Sequence, residues 1–274
     1  AIEEKELRLF AVKVREGILR GTHAAKSGHP GGSLSSTEYF TYLYNKEIRV
    51  NPKNPHDPNR DRFVLSKGHC APGLYSALAE RGYFPKEELK TLRHLGSQLQ
   101  GHPNMRDTPG VDMSTGSLGQ GISAAVGMAL AAKLWGDSYR VYTLLGDGEL
   151  EEGQVWEAAM LAGNHGLDNL CLIVDNNGLQ IDGTIEEVNS AQPIADKFRA
   201  FRFHVIDVQD GSDFDQLRAA FAEARATKGT PSCIVAHTTK GKGVSFMENQ
   251  VGWHGKAPSD EQYEQAMAEL AKEA

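Results

Sequence analysis

The 274-residue chain predicts an α/β domain, a doubly wound, mostly parallel sheet with helices on both faces. Two observations carry that expectation. From about Gly119 onward, apolar strand-like runs alternate with helix-like runs across short joints, the grammar of a parallel sheet covered on both sides. No internal repeat, low-complexity tract or linker interrupts the chain, so residues 1–274 read as a single domain.

The first 27 residues predict a helix, because Leu7, Phe10, Val14, Ile18 and Leu19 recur at three- and four-residue intervals between charges. SGHPGGS stops it, and STEYFTYLYN predicts a second helix opened by a Ser/Thr cap. A proline- and asparagine-rich connection, NPKNPHDPN, leads to a short strand, RFVLS, that ends at Lys67-Gly68-His69. Then come a small-residue helix (QGISAAVGMALAAKLW), the strand RVYTLLGDG, a helix over EEGQVWEAAMLAGNHG and the strand NLCLIVDNN. A helix near ADKFRAFR, the strand FHVIDV, a helix near DFDQLRAAFAEARAT and the strand SCIVAHT follow. The charged run SDEQYEQAMAELAKEA predicts a closing helix that reads as a natural terminus.

A formal net charge of −7 and a pI near 5.8 argue against nucleic acid or an anionic membrane as the main partner. They leave room for a phosphate ligand, which backbone N–H groups, helix N-termini and a metal can hold. Cys70, Cys171 and Cys233 form no CxxC pair, and the last two sit in apolar runs as small buried hydrophobes. The start AIEEKELRLF has no signal-peptide core, and Gly121–Trp135 is too short and glycine-rich to span a membrane. A cytoplasmic, reducing location is the expectation.

In sheets of this kind ligands bind beyond the carboxyl ends of the strands, which directs attention to two turns. RVYTLL ends in Gly146-Asp147-Gly148, and NLCLIV ends in Asp175-Asn176-Asn177. One helix lies between them, so the two strand ends belong to a βαβ unit and should be neighbours. Asp147 offers a carboxylate, Asn177 an amide oxygen and Leu179 a backbone carbonyl, the hard oxygen donors that Mg²⁺ takes alongside phosphate and water. Gly146 and Gly148 leave space for a phosphate, and the helix starting near Glu151 points its positive end there. Singly, each turn is most often only a turn; their pairing across one crossover is the signal. Four histidines, His29, His69, His102 and His254, are glycine-flanked on loops, where near-neutral imidazoles suit proton transfer to hydroxyls and carbonyls. His56, His94, His165, His204 and His237 read as structural or surface residues. TTKGKG, after the last strand, is either a solvated turn or a lid or diphosphate contact.

The segment from Gly146 to Gly183 resembles the diphosphate–metal motif of thiamine-diphosphate enzymes in its transketolase form. SGHPGGS, SKGHC, QGHP, STGSLGQGIS and GWHG resemble further transketolase motifs in the same order, and the likeness runs from about residue 5 to 258. It implies a thiamine-diphosphate-binding fold, with thiamine diphosphate and Mg²⁺ (or Ca²⁺ or Mn²⁺) as cofactors. Asp147, Asn177 and the Leu179 carbonyl match the metal ligands, and Gly146 and Gly148 the diphosphate turn. Gly116, Ser117 and Leu118 match the segment along the cofactor rings. Glu152 matches a carboxylate that communicates across the subunit interface. His69 and His254 match cofactor contacts as well as catalytic groups. By the same resemblance, His69 and His102 hold the donor hydroxyl, while His29 and His254 handle the acceptor aldehyde.

The family's pyrimidine-binding domain, whose glutamate activates the cofactor, and its sugar-phosphate-binding basic residues have no counterpart in this sequence. The resemblance therefore implies a chain that is incomplete alone, the N-terminal subunit of a split transketolase or else an engineered fragment. Its partners would be a C-terminal, pyrimidine-binding subunit in an α₂β₂ assembly and sugar-phosphate substrates of the kind used in the pentose phosphate pathway. The implied reaction breaks the C2–C3 bond of a ketose phosphate and passes a two-carbon ketol unit to an aldose phosphate. Another thiamine-diphosphate enzyme with a different sugar or a 2-oxo acid, and a non-catalytic cofactor-binding regulatory subunit, are the alternatives. A dinucleotide oxidoreductase fits poorly, since GxGxxG is absent.

Overall fold

Residues 2–273 are described here by a computed structural model. The first helix, α1 (Ile2–Ala25), buries Leu7, Val14, Ile18 and Leu19 as the spacing predicts. It ends where Lys26 turns left-handed (φ 48°) and the Lys26 and Ser27 amides return to His23 and Thr22 carbonyls. SGHPGGS does more than stop it. Pro30 opens a short buried helix, α2 (Pro30–Ser35), from the position where a missing N–H costs nothing. The next helix, α3 (Thr37–Tyr42), lacks the predicted Ser/Thr cap. The Ser36 backbone continues nearly helically out of α2, so its hydroxyl donates back to the Gly32 carbonyl at 2.8 Å.

Strand β1 (Arg62–Leu65) is followed by a helix the sequence did not announce, α4 (Ala71–Arg81). It is buried from Ala71 through Ala79, and a helix covered all round shows no amphipathic stripe to read. α5 (Gln120–Trp135) has the predicted bounds, and β2 (Val141–Gly146) follows. The helix expected from about Glu151 starts later. Asp147 caps a single 3₁₀ turn over Gly148–Glu151, Glu152 is extended, and α6 runs over Gly153–Asn164. Beyond β3 (Leu170–Asn176), a small hairpin, β4 (Leu179–Gln180) with β5 (Gly183–Thr184), leads to α7 (Ile185–Val188). α8 (Ile194–Ala200), β6 (His204–Val208), α9 (Phe214–Ala226), β7 (Ser232–His237) and α10 (Asp260–Leu270) complete the chain. Ser259 and Gln262 form a reciprocal cap on α10, which stops short of the predicted end; Ala274 lies outside the described residues.

The main sheet has the order β1-β2-β3-β7-β6 and every pair is parallel. Successive strand residues feed two cores. Leu144, Ile173 and Ile234 face α1, α3, α4 and α9, whereas Leu145, Leu172 and Val235 face α5, α6 and α8. This is the doubly wound arrangement the alternation predicts. All three cysteines are buried and unpaired. Among the described residues, no helix is long and apolar enough to cross a membrane.

The chain crosses the sheet from β1 through β3 to the far edge strand β6 and turns back only to place β7 beside β3, and a crevice lies at the carboxyl ends of β2, β3 and β7. The helices that frame it are tightly set. A Cβ on Gly163 of α6 would fall 1.8 Å from the Phe201 carbonyl oxygen, a backbone atom that cannot rotate away. Gly163→Ala is expected to cost about 3 kcal/mol or more, read as a lower urea midpoint at unchanged slope. A midpoint within error of the parent would refute it.

Candidate functional site

The two turns singled out in the sequence meet. Gly146 pairs with Asp175 across β2 and β3, and the Gly178 amide donates to Asp147 Oδ2 at 2.6 Å. Asp147 Oδ1 accepts from its neighbour Gly148 at 2.9 Å. The carboxylate is 2% exposed, and burial, reinforced by nearby Asp175, pushes it up to about 6. It is held by two amides, and among the described residues no cation pairs with it.

Beside it, Asn177 is held in one orientation. Its Nδ2 donates to Asp175 at 3.0 Å, and its Oδ1 accepts from the Leu179 amide at 3.1 Å. The Leu179 carbonyl takes the Lys240 ammonium at 3.0 Å and keeps a second lone pair. Asp147, Asn177 and Leu179 line one cleft of about 260 Å³. A divalent cation fits this donor set. The carboxylate is buried beside a second carboxylate, Asp175, and two neutral oxygens stand next to it. No cluster of three or more His, Cys, Asp or Glu able to hold a metal occurs among the described residues. The remaining ligands would have to be waters and phosphate oxygens, as Mg²⁺ prefers.

Asp175 organises the cleft floor. It is fully buried, pairs with the Lys67 ammonium at 2.6 Å and accepts from Ser35 Oγ at 2.7 Å and from Thr238. Burial opposes both charges, yet each partner favours the other's ionised form, lowering Asp175 and raising Lys67. Glu149, also buried, staples two loops by accepting from the Gly119 amide at 2.9 Å, the Gly146 amide at 3.1 Å and Ser66. The Gly146 and Gly148 amides are thus already taken by side chains, and what those glycines supply is space. A Cβ on Gly148 would press on Gln180 at 3.2 Å.

Three of the four glycine-flanked histidines converge. The ring centroids of His29, His69 and His254 lie 5.2, 5.2 and 5.5 Å apart, and all three line the cleft. His29 stands at the start of α2, His69 in the 3₁₀ turn before α4, and His254 just past the turn over Val251–Trp253. Burial, aided by nearby cations, takes His29 down to about 4, His254 to about 3 and His69 well below its ordinary value. At neutral pH they are uncharged imidazoles, each with one N–H and one lone pair. His102 is exposed and packs on Gly116; burial and Arg93 lower it as well. Gly116 and Leu118 line the cleft, while Ser117 is exposed. Glu152 is also exposed, beside Gly119 at the junction of α5 and α6.

Sequence reasoning passed over Lys67, Asp175 and Glu149, although each stands inside or next to a quoted motif. TTKGKG is resolved for one residue. Lys240 is buried against Leu179 and against His254 Nδ1 at 2.8 Å, so at this position the solvated-turn alternative fails. Ile181, at the hairpin tip, adds an apolar wall that only the fold reveals.

The neutral histidines set a pH dependence. Their folded-state values lie below the unfolded 6.5, so the unfolded chain takes up more protons and stability falls with pH between about 6.5 and 4. Asp147 opposes this with one proton, because its folded value is raised. A net loss on the order of 2 kcal/mol per pH unit near pH 5 is expected in urea titrations without ligand. A midpoint flat from pH 7 to 5 would contradict it.

Known proteins resemble this chain in sequence and in fold. Residues 11–273 match the family model described as transketolase, thiamine diphosphate binding domain. The chain is 50% identical over 246 residues, 90% of its length, to 89% of the 6-deoxy-6-sulfo-D-fructose transketolase subunit SqwG of Clostridium sp. (strain MSTE9). It is 42% identical over 271 residues, 99% of its length, to 96% of an apulose-4-phosphate transketolase subunit from Phocaeicola vulgatus. Its fold is similar to that of transketolase from Leishmania mexicana, with a TM-score of 0.91 at 37% identity. There it covers 97% of itself and spans only 41% of the solved chain.

Proposed function

This chain belongs to the transketolase family, by its thiamine-diphosphate-binding domain, and from that premise we propose that it is the N-terminal subunit of a split transketolase. In this reading it binds thiamine diphosphate through Mg²⁺ and transfers two-carbon ketol units once joined by a C-terminal, pyrimidine-binding subunit. The observation that carries the reading is the meeting, in one cleft, of the Asp147–Asn177–Leu179 oxygens with three neutral imidazoles. Relatives named as subunits, matched along nearly their whole length, support the division into two chains.

When bound, thiamine diphosphate supplies a nucleophilic carbanion at its thiazolium C2. Asp147, Asn177 and the Leu179 carbonyl hold the metal that neutralises the diphosphate. Lys240, with its ammonium directed into the cleft, adds a cation for the same group. Gly116 and Leu118, which line the cleft, would lie along the cofactor rings, with the exposed Ser117 between them. His69 and His254 contact the cofactor and, with His29 and His102, hold substrate oxygens: His69 and His102 those of the donor, His29 and His254 those of the acceptor. As uncharged imidazoles they can give a hydrogen bond or a proton to an oxygen that gains charge and take a proton from one that loses it. Glu152, exposed beside the amino end of α5, meets a second subunit.

Leu134 and Trp135 on α5 and Met160 on α6 are 75%, 78% and 59% exposed. Such an apolar surface supports burial against another chain in an α₂β₂ assembly. The proposed location is the cytoplasm, where three unpaired thiols persist. The substrates are ketoses and aldoses carrying an anionic group remote from the ketol end. A sulfonated ketose stands beside the phosphorylated sugars as a donor to test, because the name of the Clostridium relative specifies one. Mixing the chain with its pyrimidine-binding partner, cofactor and Mg²⁺ should give ketol transfer that neither chain gives alone. Full activity from a homodimer of this chain would overturn the proposal.

A further inference from the structure

The geometry points to Arg93 as a positioning residue that holds His29 in the tautomer carrying its proton on Nε2. Arg93 follows the 3₁₀ helix Lys86–Thr91, outside every motif discussed above. Its backbone is left-handed (φ 61°), a conformation that costs a non-glycine residue on the order of 1 kcal/mol and persists only where surroundings impose it. The Arg93 amide donates to the Leu99 carbonyl at 2.9 Å, which closes the loop and aims the side chain at the histidine cluster. One guanidinium nitrogen, Nη1, donates to Ser27 Oγ at 3.0 Å, and the other, Nη2, lies 3.4 Å from His29 Nδ1. Nε is buried with no partner among the described residues, so the guanidinium is set by these end contacts at the expense of its own third donor.

A guanidinium only donates and does not lose its proton in proteins. An imidazole nitrogen facing it must therefore present its lone pair. A neutral His29 with Nδ1 as acceptor carries its hydrogen on Nε2, on a ring that lines the cleft. Lys240 stands in the same relation to His254 Nδ1 at 2.8 Å, so two cations behind two imidazoles would leave two Nε2–H donors. The charged and titratable groups facing His29 are Arg93, Lys240, His102, His69 and His254. None is a carboxylate, and nothing in that set favours the imidazolium. Such a histidine is a fixed donor to a substrate oxygen, the part it plays in the function proposed above, on which the catalytic half of this inference rests.

The test separates the two. Nitrogen-15 histidine spectra of the chain alone, with no cofactor or partner, report the tautomer directly. In the parent protein His29 should show a lone-pair Nδ1 and a protonated Nε2. Arg93→Met should mix the tautomers and move the His29 titration up toward the ordinary value. Should Arg93→Met fail to fold, Gly101→Ala gives the same information. A Cβ there would sit 3.0 Å from Arg93 Nε, displacing a flexible side-chain end rather than the backbone. A protonated Nδ1 in the parent, or an unchanged tautomer in the folded variants, overturns the assignment. In the reconstituted enzyme both variants should lower kcat/KM for the acceptor about tenfold or more, with the acid limb of the pH profile shifted upward and Arg93→Lys partly restoring both. Ketol transfer that is present but insensitive to both variants would remove the functional half. Absence of transfer in the parent would count against the proposed function alone and leave the tautomer result standing.

Discussion

Asp147→Ala should abolish the calorimetric heat of thiamine diphosphate binding with Mg²⁺ while leaving the fold intact. Of the two carboxylates that line the cleft, Glu149 is taken up by the Gly119 and Gly146 amides and Ser66, which leaves Asp147 for the metal, with neutral oxygens beside it. Without it the cation faces only an amide and a carbonyl, and the diphosphate loses the charge that neutralises it. A drop in affinity of about a hundredfold or more is expected, the loss of close to 3 kcal/mol. The second half of the prediction concerns stability and has the opposite sign. A carboxyl raised to about 6 in the folded state against 3.8 unfolded is a burden at pH 7, on the order of 3 kcal/mol. Asp147→Asn should therefore leave the ligand-free protein at least as stable as the parent, although it too should fail to bind. If the variant binds normally, the metal assignment falls. If both variants unfold, the carboxylate is a structural group and the reading of its raised affinity is wrong.

Lys67→Met should be the most destabilising change near the cleft. It leaves Asp175, which has no exposed surface, without its cation. Breaking a buried ion pair from one side costs about 3–5 kcal/mol, because the remaining charge is uncompensated. Ser35, Thr238 and Asn177 still donate to Asp175, which places the expected loss toward the lower end. The double variant Lys67→Met/Asp175→Asn removes both charges and should recover much of that loss. Urea unfolding of the two single variants and the double one closes the cycle. An additive result would mean the two charges do not depend on each other. Because Asp175 is held below its unfolded value, the pair's contribution is present above about pH 4 and is lost only as the pH falls through the folded value. It is thus distinct from the histidine-driven loss between 6.5 and 4.

The relation between sequence and structure differs between the two halves of the chain. From Gly119 onward the main strands and helices were legible, α5 to the residue, because strands that are apolar throughout and helices with small-residue faces announce their period locally; the β4–β5 hairpin and α7, too short to show a period, were not. Between β1 and α5 the reading was poor. α4 is buried on nearly every side, and the residues after it, including the Arg93 loop, have no period at all. Asp147 and Asn177 were legible because both follow predicted strands at the spacing of one crossover, so local order plus one topological rule brings them together.

The sequence by itself determined the sheet-and-helix grammar, the two turns that carry the metal-type oxygens and the loops that carry the histidines, since each is written within a few adjacent residues. The tertiary structure alone decided that three of those histidines meet within 5.5 Å while His102 packs, exposed, on Gly116. It also decided that Lys67 answers Asp175 across 108 residues and that Arg93 stands behind His29 across 64. Such pairings arise from how the loops are stacked at one edge of a closed core. No local period encodes which buried charge will face which, because that choice is made when desolvation forces each one to find a partner.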